Sequence, residues 1–247
     1  MTDTTTCKNC GSELNSKYCA QCGQAKKVHR IDAHYISHEI QHLLHLEKGF
    51  LYTVKELLLR PGQNIREYIA GNRNRHVKPI PFLIFTSLIY TIISHYFHIE
   101  ERYTSQEGPA AAAFAKSHIP MLFKWVRDHY GYANILMGGL IALWIKVFFR
   151  KYQYNIFEIT VLLCFMMGEG MLLLALGAIG SGLSKYLLIY TLVSFVSWFY
   201  TAWGIGQFYE QKKAGSYIKA FLAYVIGNIS FYVILFIAGI LADMISR

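Results

Sequence analysis

Charge is scarce in this chain, and negative charge scarcer still. Only 16% of the 247 residues are charged, with 15 Asp and Glu against 24 Lys and Arg, a formal charge of +9. Together with 54% hydrophobic and 15% aromatic residues, this is too apolar a balance for an ordinary soluble domain. No apolar run long enough to insert in a bilayer occurs before Ile80, and Met1–Thr6 is polar. A cleaved signal is therefore not expected here, and the first span would act as its own uncleaved signal. No internal repeat is evident, which argues against a two-half transporter. No nucleophile–base–orienter set is legible either, so the reading leans away from an enzyme without settling it. The positive charge comes with no basic helix and no RNA-binding signature, so nucleic acid is not the expected partner.

The basic residues that are present have a place. Twelve of the 24 Lys and Arg precede Pro79, and basic charge beside a span reads as cytoplasmic loop charge drawn to anionic lipid. Arg66, Arg73, Arg75 and Lys78 are the expected membrane-surface contacts.

The chain then divides into three parts. Residues 1–30 carry Cys7-Lys-Asn-Cys10 and Cys19-Ala-Gln-Cys22, each pair followed by glycine (Gly11, Gly23). Glycine permits a tight turn in which amide N–H groups point at thiolate sulfur. Four thiolates enclose one tetrahedral Zn²⁺ with no open position, which describes a structural site. A redox dithiol pair or an iron–sulfur site is the alternative. In a reducing compartment such cysteines favour metal over disulfides, and a segment this short would draw its folding energy from the metal.

Residues 31–79 read as amphipathic helices and a basic collar. Ile36, Ile40, Leu43 and Leu44 form one stripe, with His34, His38, His42 and His45 opposite. The stretch His38-Glu39-Ile40-Gln41-His42 is a literal H-E-x-x-H, the spacing that gives zinc proteases two imidazoles and a general base. A second metal would use His38, His42 and His45, although His45 follows too closely for the extended protease pattern. The competing reading is the polar face of a helix lying on the membrane. A further helix is expected over about 50–59, stopped by Arg60-Pro61-Gly62, and a short one over 64–70.

Residues 80–247 contain five runs long enough, or nearly so, to cross about 30 Å of hydrocarbon. They lie at about 80–97, 133–149, 156–179, 186–208 and 218–242, with a short surface helix expected around 119–129. Arg and Lys alternate across these spans so as to put the amino terminus inside and the carboxyl terminus outside. Lys146 and Glu158 flank a tight turn and are expected to pair. Glu169, between Gly168 and Gly170, sits near the middle of the third run, where a carboxyl must be protonated, paired or facing water. Glu158 lies three turns away on the same face, and Asn228, Ser194 or Ser197 are the expected hydrogen-bond partners of Glu169. The alternative to a functional carboxyl is interhelical glue. Gly177, Gly180, Gly182, Gly204, Gly206, Gly227 and Gly239 permit close helix packing, and Cys164 reads as a buried apolar thiol.

The zinc knuckles, H-E-x-x-H, Gly49-Phe50, Thr53, Leu57, Pro61-Gly62, Arg66-Glu67-Tyr68-Ile69, Gly71, Arg73 and Pro79 together resemble a bacterial membrane-protein family, domain of unknown function 3667. The resemblance covers roughly Cys7 to Phe85. It implies a zinc-ribbon head followed by membrane spans, and it carries no activity, substrate or catalytic residue.

The expected fold is an all-α polytopic membrane protein of about five transmembrane helices, preceded by amphipathic helices and a small amino-terminal zinc ribbon. The expected function is a non-enzymatic scaffold, adaptor or sensor in the bacterial cytoplasmic membrane, docking a cytosolic protein or a second copy of itself. The alternatives are a small transporter or channel subunit using Glu169, and a membrane metalloprotease using His38, Glu39 and His42.

Overall fold

The computed structural model describes residues 6–7, 10–13, 16–22, 49–73, 76–99, 102 and 117–245. The chain divides into two units, Met1–Leu44 and His45–Arg247. In the first unit, an isolated antiparallel bridge joins Thr6 to Glu13 around the first cysteine pair. The amphipathic stripe from Ile36 to Leu44, with its opposing histidines, lies outside the described residues.

The described α-helices of the second unit are α1 Gly49–Leu59, α2 Pro61–Ile69, α3 Pro79–Tyr96, α4 Ile119–Asp128, α5 Tyr130–Phe148, α6 Ile156–Ser184, α7 Leu187–Tyr209 and α8 Ala214–Ile245. Prolines start helices here. Pro61 and Pro79 occupy the first turns of α2 and α3, where a missing N–H costs nothing and the fixed φ already suits a helix. For that reason α2 begins three residues before the expected Asn64. Lys78, held extended at ψ 142° ahead of Pro79, marks the break between collar and bundle.

Five helices, α3, α5, α6, α7 and α8, are long and apolar enough to cross a membrane. They match the five expected runs, and α6 and α8 continue a few residues further, to Ser184 and Ile245. The short helix α4 is found where a surface helix was expected, packed against α8 and α5.

The outer faces are apolar in a way water would not tolerate. Ile80, Ile84, Leu88 and Ile92 recur every four residues along α3 and are each more than half exposed. Leu188, Leu192, Phe195 and Phe199, at steps of four, three and four, are likewise each more than half exposed on α7. Spacing of three and four residues puts each set on one helix face, and stripes of this size are interaction surfaces, here for lipid.

The centre of the bundle is α6. It packs against α3, α5 and α7 and touches α1 and α2, while α8 covers α5 and α7. In its most apolar stretch 67% of residues are buried, against 22–33% for the other four spans. A helix apolar on all sides belongs inside, and α6 is one.

The amphipathic collar docks on the far end of α7. Gly62 N–H donates to Gln207 Oε1 (2.8 Å), and Arg66 donates to the carbonyls of Gln207 and Phe208 (both 2.6 Å). These carbonyls belong to the last turn of α7 and have no partner within their own helix. The approach is so close that a Cβ on Gly62 would lie 2.7 Å from Gln207 O and nearer still to Gln207 C and Phe208 N. Tyr200 adds a hydrogen bond to Leu57 O (2.9 Å), and Thr53 ties α1 to the collar by accepting from Val77 N–H (3.1 Å).

Gly62→Ala should therefore force α2 off α7 and lower stability by about 1–3 kcal/mol. Gly139→Ala, where nothing lies within 4 Å, should be neutral or stabilising by up to about 1 kcal/mol. Thermal unfolding of the detergent-solubilised variants measures both, and equal midpoints would contradict the docking.

Candidate functional site

Cys7, Cys10, Cys19 and Cys22 come together. All four Sγ atoms lie within 4.8 Å of one another, with Cys7–Cys22 and Cys10–Cys19 each at 3.5 Å. All five cysteines of the chain are free thiols. A tetrahedral ion with thiolate bonds of about 2.3 Å needs sulfur–sulfur edges of about 3.8 Å. The cluster is already close to that size, so the donor set fits a metal ion.

The local backbone explains the arrangement. Gly11 adopts φ +76°, which turns the chain so that its N–H reaches Cys7 O (2.9 Å) while Cys7 N–H reaches Ser12 O (2.8 Å). Cys7 and Cys19 are buried, whereas Cys10 and Cys22 are exposed. Ser12, which the cysteine spacing gave no reason to single out, bridges the two knuckles. Its hydroxyl lies 2.9 Å from Cys10 Sγ and 3.1 Å from Cys19 Sγ. That contact, helped by the N–H groups of Cys22 and Gln21, draws the Cys19 thiol down to about 6. The Ser12 hydroxyl and its N–H lower Cys10 in the same direction. Thiolate is the ligand form, so the site is preset for a cation.

The membrane half places its polar residues differently from expectation. Lys146 and Glu158 do not pair. Lys146 Nζ donates instead to Tyr154 O, and Glu158 closes a capping box at the start of α6. There Asn155 N–H donates to Glu158 Oε2 (2.8 Å), and Glu158 N–H to Asn155 Oδ1 (2.9 Å). Local caps outcompeted the cross-turn ion pair because a helix start offers orphan donors at no entropic cost of ordering a second long side chain.

Glu169 is 1% exposed and its Oε2 has no hydrogen-bond partner. The expected partners are engaged elsewhere. Asn228 donates to Tyr224 O within α8 (2.8 Å), Ser194 to Tyr190 O within α7 (2.8 Å), and Ser197 to Gly170 O across the α6–α7 interface (3.0 Å). The flanking glycines are contact points. A Cβ on Gly168 would meet the Phe82 ring at 2.8 Å on α3, and one on Gly170 would meet Ser197 Oγ at 3.0 Å on α7. Gly-Glu-Gly is thus where α6 presses on both neighbours, which leaves no room for a bulkier flank.

In the collar, Arg66 commits its Nη1 to the α7 carbonyls. Arg73 and Lys78 are exposed, with Arg73 Nε on Tyr68 O (3.2 Å) and its guanidinium 5.5 Å from the Tyr68 ring centroid. Arg75, His38, Glu39, His42 and His45 lie outside the described residues.

Purified full-length protein should carry about one equivalent of zinc, which Cys19→Ser removes; elemental analysis reads this, and no metal in wild type would contradict the site. Bound metal keeps its thiolates deprotonated below the pH, about 6, at which the free Cys19 thiol would take up a proton, so metal should be released only as pH falls below about 6. Ser12→Ala returns the thiol toward its ordinary value and should raise the half-release pH by on the order of one unit.

No curated protein and no solved structure matches this chain. Residues 47–91 match a family described as Protein of unknown function (DUF3667). The matched stretch contains α1, α2 and the start of α3, with Gly62 and Arg66 at the α7 contact. Over these residues the chain is similar to that family.

Proposed function

We propose that this chain is a non-enzymatic integral membrane protein, a scaffold, adaptor or sensor, whose four cysteines hold a structural Zn²⁺ on the cytosolic side of a bacterial cytoplasmic membrane. The observation that carries the reading is the closed cysteine cluster. Four thiolates within 4.8 Å of one another saturate a tetrahedral ion and leave no position for water or substrate. A head folded around such an ion presents a rigid surface, suited to a cytosolic protein partner or a second copy of the chain.

The orientation draws support from where the cations gather. Tyr152 donates to Glu210 (2.5 Å) and Lys213 pairs with the same carboxylate (2.6 Å), joining the α5–α6 turn to the α7–α8 turn. Arg66 joins the collar to that end as well. Arg150, Lys151, Lys212 and Lys213 therefore share one end of the bundle with the collar, as cytoplasmic loops do under the positive-inside rule. Reporter fusions at residue 247 and in the loop between α3 and α4 should both read as external. A cytosolic carboxyl terminus would overturn the orientation.

A second reading rests on Glu169, whose burial without a partner for Oε2 is the kind of intramembrane polar group that marks an ion or proton path. A small transporter or channel subunit using Glu169 would show proton- or cation-dependent flux in liposomes, lost in Glu169→Gln with the bundle still folded. The scaffold reading expects no flux in either protein.

A further inference from the structure

A groove in the described bundle lies outside the cysteine cluster and does not touch Glu169. It has a volume of about 940 Å³ and opens between the collar and the starts of α3 and α6. Its two halves differ in chemistry. One wall is Ile80 of α3 with Phe157 and Val161 of α6; Ile80 is 61% and Phe157 77% exposed, so this wall runs directly into the lipid-facing surface. The other wall carries Arg73, His76 and Lys78, and Arg73 and Lys78 are exposed at the bundle's basic end.

His76 is the informative residue. It is only 9% exposed, yet its Nδ1 has no hydrogen-bond partner. Its ring is held by Tyr52 and Tyr68, with centroids at 5.2 and 6.0 Å. A buried ring nitrogen without a partner costs free energy unless something in the groove satisfies it. Burial holds the imidazole below its ordinary pKa, opposed by the carboxylates of Glu56 and Glu67. The imidazole that lines the groove is therefore neutral, able to donate or accept according to tautomer. The one acid in the lining, Glu158, is tied into the capping box of α6 and faces that helix's positive end.

An apolar trough open to the bilayer, with a cationic and hydrogen-bonding head at interface depth, is complementary to an amphiphile with a negative head. We propose that this groove seats one anionic glycerophospholipid, its phosphate against Arg73, His76 and Lys78 and its acyl chain along Ile80, Phe157 and Val161. The inference rests on the membrane-spanning reading and adds a stoichiometric lipid site to it. Bound there, the lipid would bridge the collar to α6 and tie the arrangement of α1 and α2 to membrane composition.

Native mass spectrometry of the full chain in detergent, titrated with dioleoylphosphatidylglycerol, dioleoylphosphatidylcholine or dioleoylphosphatidylethanolamine, tests it. One phosphatidylglycerol per chain should be retained at a concentration at least tenfold lower than either of the other lipids requires. Arg73→Glu/Lys78→Glu should abolish that preference, and His76→Gln should weaken retention severalfold. Lys55→Glu, an exposed charge reversal outside the groove, should leave it intact. Equal retention of all three lipids by wild type overturns the proposal, as does a phosphatidylethanolamine preference, which would place an ammonium on Glu158. Equal loss in Lys55→Glu overturns it in favour of diffuse collar charge. If the double variant does not fold, His76→Gln decides, and unchanged retention there overturns the site. A protein that needs no detergent would instead remove the membrane reading itself.

Discussion

The last turn of α7 holds the described structure together. Helix carbonyls at a carboxyl end have no partner of their own, and the collar supplies one: Arg66 takes two of them, and Gly62 brings its backbone against Gln207. Charge-assisted hydrogen bonds of this kind are among the stronger ones available. The contact also needs a residue with no side chain at 62 and a planar cation at 66, one helical turn further on. Pro61-Gly62 and Arg66 thus form one device, in which proline starts the helix, glycine lets it approach and arginine locks it. The matched family residues include this whole device. A similar solution recurs at the opposite end of the bundle, where Arg102 donates to Ser181 O (3.2 Å) and Lys185 O (2.7 Å) at the end of α6.

With α7 fixed at that end, α6 becomes the axis. It packs against α3, α5 and α7, and its small residues set how near the neighbours come. Gly168 faces Phe82, Gly170 faces Ser197, and Gly177 faces Val193. In lipid there is no hydrophobic drive to press helices together, so close packing and interhelical hydrogen bonds carry the association. Ser197 to Gly170 O, Tyr90 with Tyr190 (2.6 Å) and Trp144 to Ser230 (3.0 Å) are such bonds. Glu169 sits on this axis with an unsatisfied oxygen, a cost the packing leaves unexplained.

The spans were legible in the sequence because they depend on run length and apolarity alone, with no need to know a partner. The cysteine cluster was legible because knuckle spacing fixes its own geometry. What could not be read were contacts between residues far apart in the chain. Nothing in Gly62 or Arg66 points to Gln207, some 140 positions away, so the docking role of both residues went unread. The opposite error occurred at the α5–α6 turn. There Lys146 and Glu158 looked like partners across a hairpin, but Asn155, three residues from Glu158, offered a cap, and the Tyr154 carbonyl, eight residues from Lys146, took its ammonium. Gly168 and Gly170 were read as mere flanks of Glu169 because their neighbours on α3 and α7 are invisible locally. Ser12 shows a third kind of limit, since a hydroxyl beside a knuckle has no pattern of its own.

The central claim is that the head is a closed, structural metal site and not a catalytic one. X-ray absorption at the zinc edge on the full-length protein tests this directly, because it reads the ligand atoms themselves. The account predicts four sulfur scatterers at about 2.3 Å and no nitrogen or oxygen in the coordination sphere. Two or more nitrogen ligands with an added oxygen would contradict it, moving the metal to His38, His42 and His45 and the chain to the protease reading.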